Sequence, residues 1–132
     1  MIVLDTHAVV WWATGDAQLS ARARKTIAAQ QRDGGQILVS AITAWEIAML
    51  IERGRLLLTM DLDEWLAALQ ALGDVRLVPV SPRVAVQAVR LPGTFHNDPA
   101  DRMIVALARE MNAPLVTADA KIHAYPQVRC IW

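Results

Sequence analysis

The stretch "FHNDPADRMIVALA", Phe95–Ala108, sets two aspartates three residues apart, with Pro99 directly after the first and an apolar run at helical spacing behind the second. Residues i and i+3 share a face of a helix, so Asp98 and Asp101 point the same way. One reading is a helix start: Asp98 as N-cap, Pro99 at the first helical position and Asp101 at the third form a capping-box pattern. The other is a pair of carboxylates offered to a cation. The cap reading suits Asp98 better than Asp101, which lies inside the helix, where Asp is a mediocre former. Both jobs fit together if Asp98 starts the helix and Asp101 points into a cleft. Arg102 beside them can pair with a carboxylate, touch a phosphate or stay solvated.

Asp5, Glu46 and Asp119 join this pair. Asp5 ends the apolar run "MIVL" and either caps the helix "THAVVWWA" or serves as a ligand at a strand end; Thr6 is an alternative cap that would free Asp5. Glu46 stands among Ile42, Trp45, Ile47, Met49, Leu50 and Ile51, with Thr43 and Leu50 one turn away and no basic partner at helical spacing. A buried lone carboxylate is very costly, so Glu46 either reaches solvent or meets a cation brought by another element. Asp119 follows "PLVTA" and is placed to cap a short "AKIHAY" turn, with Thr117 two residues earlier able to donate to a nearby carboxylate. Crowded carboxylates repel and cannot all stay ionised without a cation. Oxygen ligands without Cys or clustered His favour Mg²⁺ or Mn²⁺ over zinc. Such a site suits phosphodiester hydrolysis, because the ion lowers the pKa of a water and clamps phosphate oxygens.

The elements that must position these acids are short and alternate. "MIVL", "QILVS", "VRLVPV" and "PLVT" read as buried strands, and "VRCIW" as a possible fifth. Between them lie helices: "LSARARKTIAAQQR" with Ser20 as N-cap, "AITAWEIAMLIERG" with Gly54 past its end, "DLDEWLAALQALG" capped by Asp61 or Asp63, "PRVAVQAVRL" from Pro82, and "DPADRMIVALAREMN". Alternation of this kind predicts an α/β domain, a mainly parallel sheet with helices on both faces. Such sheets carry their sites beyond the carboxyl ends of the strands, where Asp5 and Asp119 fall.

The 132 residues suffice for one domain, 1–132, with a proper core, and neither repeats nor low-complexity segments interrupt them. Thirteen basic and thirteen acidic residues balance. No basic excess advertises nucleic acid, so any contact with one rests on local residues, for which Arg22, Arg24, Lys25, Arg53, Arg55, Arg102 and Lys121 are the candidates. The N-terminus lacks the pattern of a signal peptide and no apolar run spans a bilayer, which makes cytoplasm the expected compartment. The single Cys130 fits a reducing environment. Trp11, Trp12, Trp45, Trp65 and Trp132 are expected in the core or at a subunit interface rather than stacked on bases.

Together and in this order, "VLDTH", "SAITAWEIAML", "HNDPADRMIVALA" and "LVTADAKI" resemble the PIN-domain family, most closely its VapC-type toxins, over essentially the whole chain. The resemblance implies a PIN-like three-layer α/β/α domain with a mainly parallel sheet of four to five strands. It implies a metal-dependent endoribonuclease, a homodimer, and a cognate antitoxin that holds it inactive. By motif, Asp5, Glu46 and Asp101 match the acidic triad and Asp119 the more variable fourth acid; Asp98 is extra, a cap or an outer-shell ligand. His7 and His96 lie within the motifs and are expected to make helix-start or loop hydrogen bonds, and His123 to sit at the surface. The expected mechanism has Asp5 and Asp101 holding Mg²⁺ or Mn²⁺, Glu46 and Asp119 completing the site through waters or a second ion, and a water attacking RNA to leave a 5′-phosphate. The segment "AMLIERGRLLL" reads as a core helix and its turn, with part of an antitoxin groove as the other possibility. Two rivals remain: a phosphohydrolase with Asp5 as covalent nucleophile, which needs an acid where His7 stands, and a non-catalytic PIN-like binding module.

Overall fold

The computed structural model describes residues 1–132. Five strands form one sheet: β1 (Ile2–Leu4), β2 (Ile37–Ser40), β3 (Val75–Val78), β4 (Leu115–Val116) and β5 (Cys130–Ile131). Their order is β3-β2-β1-β4-β5 and every neighbouring pair is parallel, as the alternating pattern predicts. The helices are α1 (Thr6–Thr14), α2 (Ala21–Arg32), α3 (Ala41–Glu52), α4 (Leu62–Ala71), α5 (Pro82–Val89), α6 (Pro99–Glu110) and α7 (Ala120–His123).

The two faces of the sheet follow from strand periodicity. Ile2, Leu4, Ile37 and Val39 point into a core closed by Val9 of α1, Ile27 of α2, Ile47 of α3 and Trp65 of α4. Val3, Leu38 and Leu115 point the other way, against Val84 of α5, Ile104 of α6 and Ile122 of α7. Because both faces are covered, β1 and β2 read as continuous apolar runs rather than as alternating ones. Full burial of a side chain such as Ile47 or Ile104 contributes about 1.5–3 kcal/mol.

The chain winds outward from β1 through β2 to β3, then returns to lay β4 on the other side of β1. The β1/β4 boundary is therefore a switch point, where successive connections leave for opposite faces and open a crevice beyond the carboxyl ends. β3 stops at Val78 because Pro79 has no N–H to continue a ladder. Of the two candidate caps for α4, Asp61 is used and accepts from the Asp63 amide at 3.0 Å.

The segment after α3 departs from the core reading. Ile47 is fully buried and Ile51, Leu56 and Leu58 pack on the core, but Leu57 is 92% exposed. Leu50, Arg55, Leu56 and Leu57 wall an open groove of about 830 Å³ against Thr6, His7 and Trp11. The tryptophans divide: Trp65 is core, Trp11, Trp12 and Trp132 are half-buried against it, and Trp45 is exposed. No helix is long and apolar enough to cross a membrane.

Candidate metal centre

β1 ends in Asp5, whose carboxylate is tied at both oxygens. Oδ1 accepts from the Thr6 amide at 2.8 Å, making Asp5 the N-cap of α1, and Oδ2 accepts from the Thr117 hydroxyl at 2.6 Å. Asp5 thus caps the helix and faces the crevice at once, and it is buried. Thr6 is not the cap. It lies inside α1 and its hydroxyl donates to Glu46 Oε1 at 2.5 Å. With that proton committed, Thr6 accepts from the Thr43 hydroxyl 3.0 Å away. Glu46 is half-buried on α3, held by a hydroxyl on α1 rather than by a basic side chain.

On α6, Asp98 is the N-cap and accepts from the Asp101 amide at 2.9 Å. The return arm of a capping box is missing: the Asp98 amide donates to His96 Nδ1 at 3.4 Å. That leaves the Asp101 carboxylate to turn toward His96 Nε2, 3.1 Å away. Asp119 ends β4 as N-cap of α7, accepting from the Lys121 amide at 2.8 Å, and its own amide donates to the Thr117 hydroxyl oxygen at 3.0 Å. Thr117 therefore joins the acid after β1 to the acid after β4. Its carbonyl oxygen lies 2.6 Å from His123 Nε2. A carbonyl only accepts, so that ring nitrogen carries the proton. His123 is exposed as expected, with this one atom anchored.

All the predicted acids reach the same edge of the sheet, but not at equal range. Ligand atoms of His96, Asp101 and Asp119 lie within 4.8 Å of one another. Asp5 and Glu46 stand behind them, linked through Thr117 and Thr6. Burial pushes the Asp5 carboxyl above its usual range, against the lowering effect of its hydrogen bonds from Thr117 and Thr6. Burial likewise raises Glu46, with Asp5 and Asp98 adding to the effect. Asp101 is pushed up to about 7, first by burial and then by the charges of Asp5, Asp98, Asp119 and Glu46.

Carboxylates raised by burial, and further by one another's charge, are a donor set that gains from a cation. His96 Nε2 has the proximity of an ion pair to Asp101 but not the alignment of a hydrogen bond, and is buried without another partner. A divalent ion suits the carboxylate oxygens; with Nδ1 of His96 accepting from the Asp98 amide, its Nε2 carries the proton and faces the same space as a donor. The loop hydrogen bond expected of His96 is present at Nδ1; its approach to Asp101 is an addition. Its position two residues ahead of the capping Asp98 is the local signal for that approach, since the turn into α6 folds it back over the first helical turn.

Arg102 takes none of its three expected roles. Its guanidinium donates to the carbonyls of Ala88 at 2.7 Å, Phe95 at 3.0 Å, His96 at 3.1 Å and Val89 at 3.3 Å. It closes the end of α5 and fixes the loop leading into α6, so it leaves the set of candidate nucleic-acid contacts. The covalent-nucleophile rival also loses ground. The position two residues after Asp5, where that chemistry needs an acid, is His7, which is exposed and packs on Trp11 with ring centroids 5.6 Å apart.

Comparison with known proteins agrees with the architecture. The chain is 36% identical to Ribonuclease VapC22 of Mycobacterium tuberculosis, covering 99% of this chain and 98% of that one. Among solved structures it resembles VapBC2 from Rickettsia felis bound to a promoter DNA fragment, with TM-score 0.68, 17% identity, and 98% and 97% of the two chains covered. It also resembles VapC20 of Mycobacterium tuberculosis, a sarcin-ricin loop cleaving toxin, with TM-score 0.62, 19% identity, and 98% and 99% covered. The PIN domain model matches residues 2–128. With its parallel sheet and acid-lined switch point spanning those residues, the chain belongs to the PIN domain family.

Proposed function

We propose that this chain is a Mg²⁺- or Mn²⁺-dependent endoribonuclease, the toxin of a toxin–antitoxin pair, built as one domain over residues 1–132. The observation that carries the reading is the convergence of Asp5, Glu46, Asp98, Asp101 and Asp119 on one crevice, where burial and then their mutual repulsion raise Asp101 to about 7. Kinship with Ribonuclease VapC22 supports RNA as the polymer cut. A cytoplasmic location and a homodimer are part of the same proposal, as is a cognate antitoxin, by likeness to VapBC2.

In this reading Asp5, Asp101 and Asp119 hold the cation. The cation, when bound, supplies neutralising charge for the phosphodiester and an acidified water. Asp98 starts α6 and adds negative charge from the rim. Thr117 fixes the rotamer of Asp5 and the backbone of Asp119 with a single hydroxyl. Thr6 fixes Glu46 at Oε1, leaving Oε2 to orient the attacking water and accept its proton. The raised pKa of Glu46 suits it to that task, because a base is most effective when its pKa approaches working pH. Attack of the water in line with the P–O3′ bond, with the 3′-oxygen leaving and taking up a proton, gives a 5′-phosphate and a 3′-hydroxyl.

The test is cleavage of structured and single-stranded RNA by purified, antitoxin-free protein in Mg²⁺, Mn²⁺ or EDTA, with Asp5→Ala and Asp101→Ala alongside. Cleavage that requires metal and both aspartates is expected. Wild-type rates in the two variants, or equal cleavage in EDTA, would overturn the assignment.

A further inference from the structure

A cavity of about 270 Å³ lies between the loop before α6 and the helix α7, lined by Thr94, Phe95, His96, Lys121, Ala124 and Tyr125. It is separate from the acid cluster but shares a wall with it. His96 lines the cavity while its Nε2 stands 3.1 Å from Asp101 Oδ2. Lys121 lines it two residues after Asp119. We propose that this cavity is a nucleoside subsite, which holds the base next to the scissile phosphate while Lys121 contacts that nucleotide's backbone. The inference rests on the ribonuclease reading and specifies where its substrate lies.

Size and chemistry favour this occupant. The volume falls just under the range of about 300–1,000 Å³ typical of small-molecule pockets, too small for a peptide segment. The lining combines the half-exposed rings of Phe95 and His96, with Tyr125 buried behind them, a hydroxyl at Thr94 and one ammonium. Base–aromatic stacking beside a cation is a recurring way of holding single strands, and it does not need the net basic excess that this chain, with its balanced charges, lacks.

The walls are also unusually fixed for an irregular segment. Phe95 packs on Tyr125 with ring centroids 4.7 Å apart and on His96 at 4.4 Å. Tyr125 donates its hydroxyl to the Pro92 carbonyl at 2.5 Å. Arg102 holds the Phe95 and His96 carbonyls, and its guanidinium sits 5.9 Å from the centre of the Phe95 ring. None of these contacts touches the acids other than through His96. They hold a loop in one shape, and a preformed site binds without first ordering its walls.

The experiment uses the full chain, with Ala124→Trp to fill the cavity from its exposed side and Lys121→Ala to remove the ammonium. Each protein is assayed with Mn²⁺ on an RNA oligonucleotide that wild type cuts, on the same oligonucleotide carrying an abasic residue on either side of the cut, and on bis(4-nitrophenyl) phosphate. Loss of one stacked base should lower wild-type kcat/KM roughly tenfold or more at one flanking position. Ala124→Trp should show a similar loss on the intact RNA, no further loss with the abasic substrate, and unchanged hydrolysis of the small diester. Lys121→Ala should raise KM for RNA alone. Intact-RNA kinetics at wild-type level in Ala124→Trp, or indifference to abasic residues on both sides, would overturn the subsite. So would equal loss on both substrate types, since the cavity would then belong to the catalytic framework. A wild type inert toward RNA and the small diester would overturn the ribonuclease reading itself.

Discussion

Replacing Asp101 by Asn should make the metal-free protein more stable while it removes activity. The folded state raises the Asp101 pKa from 3.8 to about 7, so folding disfavours its charge. For an acid shifted upward the linkage is the reverse of the familiar salt-bridged case. Below about pH 4 the group is neutral in both states and nothing is lost. Between about pH 4 and 7 the unfolded chain ionises it freely while the folded chain resists, and the penalty grows to a plateau. The full shift corresponds to ~4 kcal/mol. Screening by water around the exposed Asp98 and half-exposed Glu46 reduces this to about 2–3 kcal/mol. Asn keeps the size of the side chain, loses the charge and exchanges one acceptor oxygen for an NH2 donor. Urea unfolding in EDTA should therefore give matching stabilities near pH 4, and at pH 8 a variant more stable by about 2–3 kcal/mol. Adding Mg²⁺ at a hundred times its Kd should stabilise wild type by about 2.7 kcal/mol and the variant far less. A variant less stable than wild type at pH 8, or a gap of the same size at both pH values, would refute the reasoning.

At low metal concentration, RNA cleavage should rise with pH through the range that ends near 7, as Asp101 ionises, and more Mg²⁺ should move that rise to lower pH; a pH–rate curve at several metal concentrations checks both. Thr117→Val keeps shape but removes the donor to Asp5 and the acceptor for Asp119. Divalent-ion affinity measured by calorimetry should fall roughly 10- to 100-fold, the usual effect of losing an outer-shell partner. Arg102→Ala strips hydrogen bonds from four carbonyls at the end of α5 and in the loop before α6 and should destabilise by about 2–4 kcal/mol in urea titrations. Arg102→Lys should recover only a fraction of that, because one ammonium cannot span both segments.

What could be seen in the sequence and what could not divide along the range of the interactions. Caps and starts are local, so Asp98 with Pro99, Pro82 at the start of its helix and Ser20 before its own fall where the residue types put them. Strands buried on both faces betray themselves as short apolar runs, and the alternation of runs and helices gives the parallel sheet. The strand order is different in kind. Nothing in "PLVT" says that it lies beside "MIVL" rather than at an edge, and the Thr117–Asp5 bond joins residues 112 positions apart. Thr6 and Arg102 show the same limit. A threonine at a helix start and an arginine beside two aspartates have obvious local partners, yet both reach across elements, Thr6 to Glu46 and Arg102 to carbonyls of α5 and its following loop.

That division explains why the acids are recognisable while, of their supports, only Thr117 reads as a donor to a neighbouring carboxylate, and without its partner Asp5. A carboxylate in an apolar helix, or at a strand end, violates the local pattern and is conspicuous for that reason. A hydroxyl or guanidinium that steadies such a group violates nothing, since Thr and Arg are ordinary at these positions. Yet the supports make the crowding tolerable. Asp5 sits buried beside other negative charges because Thr117 and the Thr6 amide satisfy both its oxygens, and Glu46 because Thr6 meets one of its own. Asp101 has no such aligned donor, only the misaligned ring nitrogen of His96, and burial together with the surrounding charges raises it to about 7. Lacking an aligned donor of its own, Asp101 is the carboxylate at this edge for which a cation would stand in place of a hydrogen bond.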